Sequence, residues 1–103
     1  MNIPETTLAQ LGGASRLSVM IGARHFSSDG RELSFRFTAK ASNGANWAAV
    51  TLDEDDTYSL RFARVSYPRG GGEKVVERGT FAGVYVEQLR RAFESATGLR
   101  LSL

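Results

Sequence analysis

Residues 83–99, GVYVEQLRRAFESATGL, are the stretch from which the rest of the chain is interpreted. Its large apolar side chains recur at the three- and four-residue spacings of one helix face; they are Tyr85, Val86, Leu89 and Phe93. Gly98 follows this run at a position where a left-handed residue ends a helix. The sequence therefore predicts an amphipathic helix that ends at Gly98 and covers strands lying upstream.

The other face of this predicted helix is charged. Glu87 lies four residues before Arg91, and Arg90 lies four residues before Glu94. Such spacing lets opposite charges pair along a helix for a few tenths of a kcal/mol each, ~0.2–0.5. The helix is therefore predicted to be scaffold, with its apolar side on a sheet and its charges paired with one another.

Upstream of the helix, apolar and polar residues alternate as they do in half-buried strands. The clearest alternating segments are residues 33–40, 46–53 and 58–63. Turn-forming residues precede the first segment at 27–30 and separate the three at 42–44 and 53–56. Hairpins at this spacing predict an antiparallel meander with one covered face. Residues 74–78 are predicted as a charged fifth strand at the edge, after a mobile loop at about 67–73.

The N-terminal part of the chain is less clear. A short helix is predicted to end at Gly12-Gly13, with Leu8 and Leu11 buried. Residues 16–23 fit two patterns: the alternation of Leu17, Val19 and Ile21 favours a strand, while a helical spacing stays open. At the other terminus, Leu101 and Leu103 are expected to pack under the sheet.

These elements predict a single α+β domain over residues 1–103: a short N-terminal helix, a four- to five-stranded antiparallel meander, and a C-terminal helix packed on one face. The predicted core consists of Leu8, Leu11, Val19, Ile21, Leu33, Phe35, Phe37, Val50, Leu52, Leu60, Phe62, Val86, Leu89 and Phe93.

Composition restricts the chemistry that the chain can carry. It has 103 residues, of which 42% are apolar and 23% charged, with no cysteine and one histidine, His25. Disulfides and thiolate metal sites are thereby excluded, and no pair of residues is spaced for acid–base or covalent catalysis. Neither a run of roughly 20 apolar residues nor a signal-peptide pattern occurs. We expect a non-enzymatic, cytoplasmic protein without cofactor or metal and with no membrane contact.

The charges are unevenly distributed. Four of the 11 acidic residues are consecutive at 53–56, which leaves seven against 13 basic residues in the rest of the chain. The acidic run is interpreted as a hairpin turn, because it lacks the alternate spacing and the central glycine of a calcium loop. The surface is therefore expected to be polarised, which affects partners and association rates rather than the fold.

The candidate binding site lies on the outward face of the predicted sheet. If the strand alternation holds, this face carries four notable side chains: Arg36, Lys40, Trp47 and Arg61. Three interpretations stay open. The residues can form a solvated face with Trp47 lying on arginine stems, a protein-binding surface rich in hot-spot residue types, or a platform on which single-stranded nucleic acid stacks.

Three segments of the sequence carry a family resemblance: LAQLGG at 8–13, MIGARHF at 20–26, and GVYVEQL at 83–89 through TGL at 97–99. In these segments the sequence resembles a family of small, mostly uncharacterised proteins encoded in bacteriophage and prophage genomes. The resemblance implies a mobile-element gene expressed in a bacterial host cell, and it implies no catalytic residues.

Two functions follow as expectations. The first is an accessory protein that binds a host or phage protein, for which an inhibitor of a host defence system, such as an anti-CRISPR protein, is the analogous role. The alternative is a small nucleic-acid-binding protein that uses the basic, Trp-containing sheet face. The oligomeric state stays open, and a homodimer is one possible assembly.

Overall fold

The computed structural model describes residues 3–101. Two helices open the chain, α1 (Ile3–Leu11) and α2 (Ala14–Ile21). Five strands follow: β1 (Arg24–Asp29), β2 (Glu32–Arg36), β3 (Trp47–Leu52), β4 (Tyr58–Ser66) and β5 (Lys74–Val84). A 3₁₀ turn (Val86–Gln88) then leads into the last helix, α3 (Leu89–Thr97).

The strands form one antiparallel sheet in the order β1-β2-β3-β4-β5. Each strand pairs with its neighbour in sequence, and the helices cover one face of the sheet. The predicted α+β class and the meander are therefore confirmed. The segment 74–78 does lie in an edge strand, and that strand continues to Val84.

Aromatic rings fill the space between α3 and the sheet. Phe93 of α3 is fully buried and lies near three rings, with centroid distances of 6.0 Å to Phe35, 6.1 Å to Phe37 and 5.3 Å to Phe62. Leu89, one turn earlier, is also fully buried. The apolar stripe of the last helix thus packs on the strands, as its spacing predicts.

The favoured strand at residues 16–23 is wrong, because Ala14–Ile21 forms helix α2. Leu17 and Ile21 are buried four residues apart, whereas Val19 between them is 83% exposed. On a helix, side chains two positions apart point in nearly opposite directions, so Val19 cannot join the core beside its neighbours. The alternation was therefore a coincidence of a short segment that also fits the helical period.

The predicted start of the last helix is also wrong. Val84 pairs with Tyr58 in the β4–β5 ladder, so residues up to Val84 belong to the sheet and α3 begins only at Leu89. Tyr85 and Val86 are consequently 57% and 40% exposed. The helix ends as predicted, at Gly98, whose φ of 71° is left-handed and whose N–H bonds to the Glu94 carbonyl.

The predicted charge pairs on this helix do not form. Glu87 lies in the 3₁₀ turn rather than on the helix that carries Arg91. Glu94 instead accepts a hydrogen bond of 2.8 Å from the backbone N–H of Leu101. This bond holds the chain end against the helix, where Leu101 is fully buried.

Of the predicted core, Val19 and Val86 are exposed, and Leu8 and Leu52 are only partly buried against it. The remaining predicted core residues are buried. Leu17, Ala48 and Tyr58 also belong to the core, although the predicted core does not include them. The prediction for Leu103 lies outside the described residues.

Gly22 at the end of α2 offers a test of the local backbone. Its φ is +68°, and a Cβ there would lie 1.9 Å from Oγ1 of Thr38. Replacing Gly22 with alanine is expected to cost about 1–2 kcal/mol for the left-handed backbone, with a further cost from displacing Thr38. Thermal unfolding should show a larger loss than for Gly30→Ala, where φ is +60° but nothing lies within 4 Å. Equal losses in the two variants would mean that the contact with Thr38 has no energetic role.

Candidate functional site

Strand register brings three of the four predicted site residues together on the sheet face opposite the helices. Arg36 of β2 lies directly across from Trp47 of β3. Arg61 of β4 lies across from Ala49, two residues along β3 from Trp47. Side chains two apart on a strand share a face, so Arg36, Trp47 and Arg61 are neighbours.

Lys40 does not join them, and the prediction that it shares this face is wrong. Strand β2 ends at Arg36, and the N–H groups of Thr38 and Ala39 both bond to the carbonyl of Ile21, at 3.2 and 3.1 Å. The end of α2 thereby draws the chain out of the sheet. Lys40 lies exposed in the connection between β2 and β3.

The three residues line a groove of about 360 Å³ on the open sheet face. We call it the outer groove; its lining is Glu32, Arg36, Trp47, Arg61, Val65, Glu73 and Val75. Two of these residues carry a positive charge and two carry a negative charge. The groove is therefore not the basic surface that the sequence predicts.

Arg61 is held between an aromatic ring and a carboxylate. Its guanidinium carbon lies 5.5 Å from the centre of the Trp47 ring, a cation–π arrangement. Its Nη2 and Nε atoms lie 2.7 and 2.8 Å from the Oε1 atom of Glu77. Because both side chains are about half exposed, at 52% and 55%, the ion pair contributes orientation more than stability.

Arg36 makes a similar set of contacts with a second aromatic residue. Its guanidinium carbon lies 5.4 Å from the centre of the Tyr67 ring. Its Nη2 donates a hydrogen bond of 2.5 Å to the Tyr67 hydroxyl and lies 3.8 Å from Oε2 of Glu73. The same hydroxyl donates to Glu73 at 3.3 Å. Each arginine of the outer groove thus has one aromatic and one acidic neighbour.

Sequence reasoning missed Tyr67 and Glu73 because both flank the glycine-rich segment that it assigned to a mobile loop. They come together because Ser66 pairs with Lys74 at the end of the β4–β5 ladder. Between them, the Gly71 N–H bonds to the Pro68 carbonyl at 3.2 Å in a turn. The mobility of residues 67–73 stays a prediction.

Asn46 is a second residue that sequence reasoning missed. Its side-chain amide donates to the Val65 carbonyl at 2.8 Å and accepts from the Val65 N–H at 2.7 Å. The amide therefore bonds to β4 as the backbone of an adjacent strand would. This pair of bonds continues the support of β4 beyond the first β3 residue, Trp47, and holds Val65 at the wall of the outer groove.

The acidic run at 53–56 forms the turn between β3 and β4 that its composition predicts. The hydroxyl of Thr57 and then its N–H donate to the Asp55 carboxylate, and both bonds hold the pKa of Asp55 below its usual value. These bonds therefore stabilise the fold at pH values above the ordinary carboxyl pKa, and the stabilisation is lost as the pH falls through the lowered pKa.

Among residues 3–101, no group of three or more His, Asp or Glu side chains is placed to hold a metal ion.

Within the same range, no helix has both the length and the apolar character needed to cross a bilayer.

Comparison with protein-family models, with curated protein sequences and with solved structures found no match to this chain. The geometry of the outer groove is therefore the basis on which a function is proposed.

Proposed function

We propose that this chain is a non-enzymatic binding protein that docks a host or phage protein on its outer groove. The observation that carries the proposal is the cluster of Trp47, Tyr67, Arg36 and Arg61 on an open sheet face. Tryptophan, tyrosine and arginine are the residue types enriched at protein-interface hot spots. Their contacts with one another hold the side chains in place before binding, which lowers the entropy that docking costs.

The carboxylates favour a protein partner over nucleic acid at this groove. A phosphate that approached Arg61 would have to displace Glu77, which lies 2.7 Å from it, and Glu32 and Glu73 would repel the phosphate. A protein segment with both acidic and basic groups can exchange partners with these pairs without leaving a buried charge uncompensated. The charges of the outer groove therefore match a peptide of mixed charge better than a polyanion.

We place the protein among small phage or prophage accessory proteins that act in the cytoplasm of a bacterial host. Support for this class comes from the sequence resemblance at 8–13, 20–26 and 83–99. Within that class, an inhibitor of a host defence system is the role that a small binding protein most simply fills: it covers a surface that the target needs. Occupancy of that surface requires no reaction.

A capture experiment with matched variants tests the groove. The immobilised protein is expected to retain a stoichiometric partner from bacterial host lysate, and Trp47→Ala should weaken that capture by about 30-fold, as for a hot-spot truncation of 2 kcal/mol. Tyr85→Ala is the control, because Tyr85 is an exposed aromatic residue that does not line the groove. Thermal melts establish that both variants are folded.

Two results would contradict the proposal. One is a partner that Trp47→Ala retains as well as the wild type does. The other is recovery of nucleic acid with no stoichiometric protein, which would favour the alternative function.

A further inference from the structure

The β4–β5 hairpin extends past the rest of the sheet. Pairing of β3 with β4 stops at Trp47 opposite Ala63, whereas the β4–β5 ladder continues to Ser66 opposite Lys74. Residues 64–76 thus form a two-stranded arm with the Pro68–Gly72 turn at its tip. At the base of this arm, the Asn46 side chain is hydrogen-bonded to the backbone of Val65.

The register gives the arm two different faces. Val65 and Val75 are paired and line the outer groove. The adjacent pairs, Arg64 with Val76 and Ser66 with Lys74, point to the opposite face because successive side chains on a strand alternate. Arg64 and Lys74 are diagonal neighbours there, within reach of one ligand.

Two further basic residues lie at the two ends of the arm. Arg69 lies exposed in the turn at the tip. At the base, Arg78 sits at an irregularity in the β4–β5 ladder, and its Nε would lie 3.5 Å from a Cβ placed on Gly44. Gly44 belongs to the connection that packs on α3 through the 2.7 Å bond from the Ser42 N–H to the Thr97 carbonyl. Arg78 thus reaches the helix side of the sheet.

We call Arg64, Arg69, Lys74 and Arg78 the basic arm face. Within residues 3–101, none of the four makes an ion pair or a side-chain hydrogen bond, and all are exposed. The two acids of the β4–β5 hairpin, Glu73 and Glu77, are engaged with Arg36 and Arg61 on the other face. The basic arm face is therefore an uncompensated cluster of positive charge.

The topology places acidic charge at the far end of the molecule. In an antiparallel meander, alternate turns lie at the same end of the sheet, so the turns after β1 and β3 are opposite to the arm. That end of the sheet carries Asp29, the last residue of β1, and the acidic run at 53–56, together with one basic residue, Arg31. Such a separation of charge orients the arm toward a polyanion as the two approach.

We infer that the basic arm face binds the phosphate backbone of a DNA duplex. Four exposed cations on one extended element match a line of phosphates, and phosphate contacts provide affinity without sequence readout. Single-stranded DNA is the weaker fit, because stacking of its bases needs aromatic rings and the nearby rings, Trp47 and Tyr67, contact the arginines of the outer groove. The site is separate from the outer groove and does not depend on its proposed protein partner.

Fluorescence anisotropy with a labelled 20-base-pair DNA duplex of mixed sequence tests this inference. The wild-type protein is expected to bind at 50 mM salt and to lose about a hundredfold in affinity by 200 mM, as four phosphate contacts imply. The double variant R64E/K74E should bind at least tenfold more weakly at 50 mM salt. For this variant, the slope of log affinity against log salt concentration should be shallower than that of the wild type by about 2.

The control is R16E/R91E, which changes the net charge by the same amount at two exposed positions on α2 and α3. It should retain wild-type duplex affinity within about twofold, since the phosphate contacts are local. Three results would overturn the inference: no duplex binding at 50 mM salt, an equal loss in R16E/R91E, or binding to anionic phospholipid vesicles without binding to the duplex.

Discussion

Replacing Phe93 with alanine is expected to lower the free energy of unfolding by about 3–5 kcal/mol. The Phe93 side chain is fully buried. Three phenylalanine rings surround it at centroid distances between 5.3 and 6.1 Å, namely Phe35 of β2, Phe37 just after β2, and Phe62 of β4. Truncation would leave a cavity that rings fixed to a sheet cannot collapse to fill. Because small domains have total stabilities of about 5–15 kcal/mol, this loss is a large fraction of the whole.

Urea denaturation monitored by the single tryptophan measures this change. The midpoint should fall while the slope stays near that of the wild type, since the folded structure is kept. Phe81→Ala is the matched control: Phe81 is 45% exposed and contacts Phe62 alone among the rings, so its loss should be about 1 kcal/mol. If Phe93→Ala unfolds within one degree of the wild type in a thermal melt, α3 does not hold the sheet as described.

Replacing Asn46 with alanine is expected to cost about 1–3 kcal/mol and to loosen the arm. The Asn46 amide makes both hydrogen bonds to the Val65 backbone, at 2.8 and 2.7 Å, and its loss leaves the N–H and the carbonyl of Val65 without these partners. An unsatisfied, partly buried backbone group costs more than the bond itself contributes. No other side chain of residues 3–101 bonds to the Val65 backbone.

Amide hydrogen exchange separates local loosening from global unfolding. In Asn46→Ala, the amides of Val65 and its neighbours in the arm should exchange faster, while those of β2 and β3 should change only with global stability. Asn43→Ala is the control, because the Asn43 side chain makes one local bond, to the Ala45 N–H at 3.1 Å. Asn46→Asp should fall between wild type and alanine, since it keeps the acceptor and loses the donor. Unchanged arm exchange in Asn46→Ala would show that the ladder with β5 alone orders the arm.

The structure also changes where a nucleic-acid site would lie. The sequence alone predicts it on the Trp-containing face, because strand alternation places Arg36 and Arg61 beside Trp47. The alternation is right for those residues, but it says nothing about which acids approach them. Glu73 and Glu77 come from β5 and its preceding turn, and they reach the arginines only through the β4–β5 pairing. Uncompensated positive charge lies instead on the opposite face of the arm.

The sequence by itself determined the features that depend on neighbours along the chain. Strict alternation over several residues specifies which side chains share a strand face, and the last helix ends at Gly98 because the left-handed conformation there suits glycine. The α+β class, the meander and the burial of Leu89 and Phe93 follow from such local patterns.

Only the tertiary structure decided the rest. Residues 16–21 fit two periods, and packing of Leu17 and Ile21 in the core selects the helix. Residues 83–84 belong to β5 because β4 pairs with this part of the chain, so the final helix begins later than its apolar spacing indicates. The charge on each face of the arm likewise depends on the register between strands. Residues that pair across a sheet are separated along the chain, and no local sequence pattern shows which of them pair.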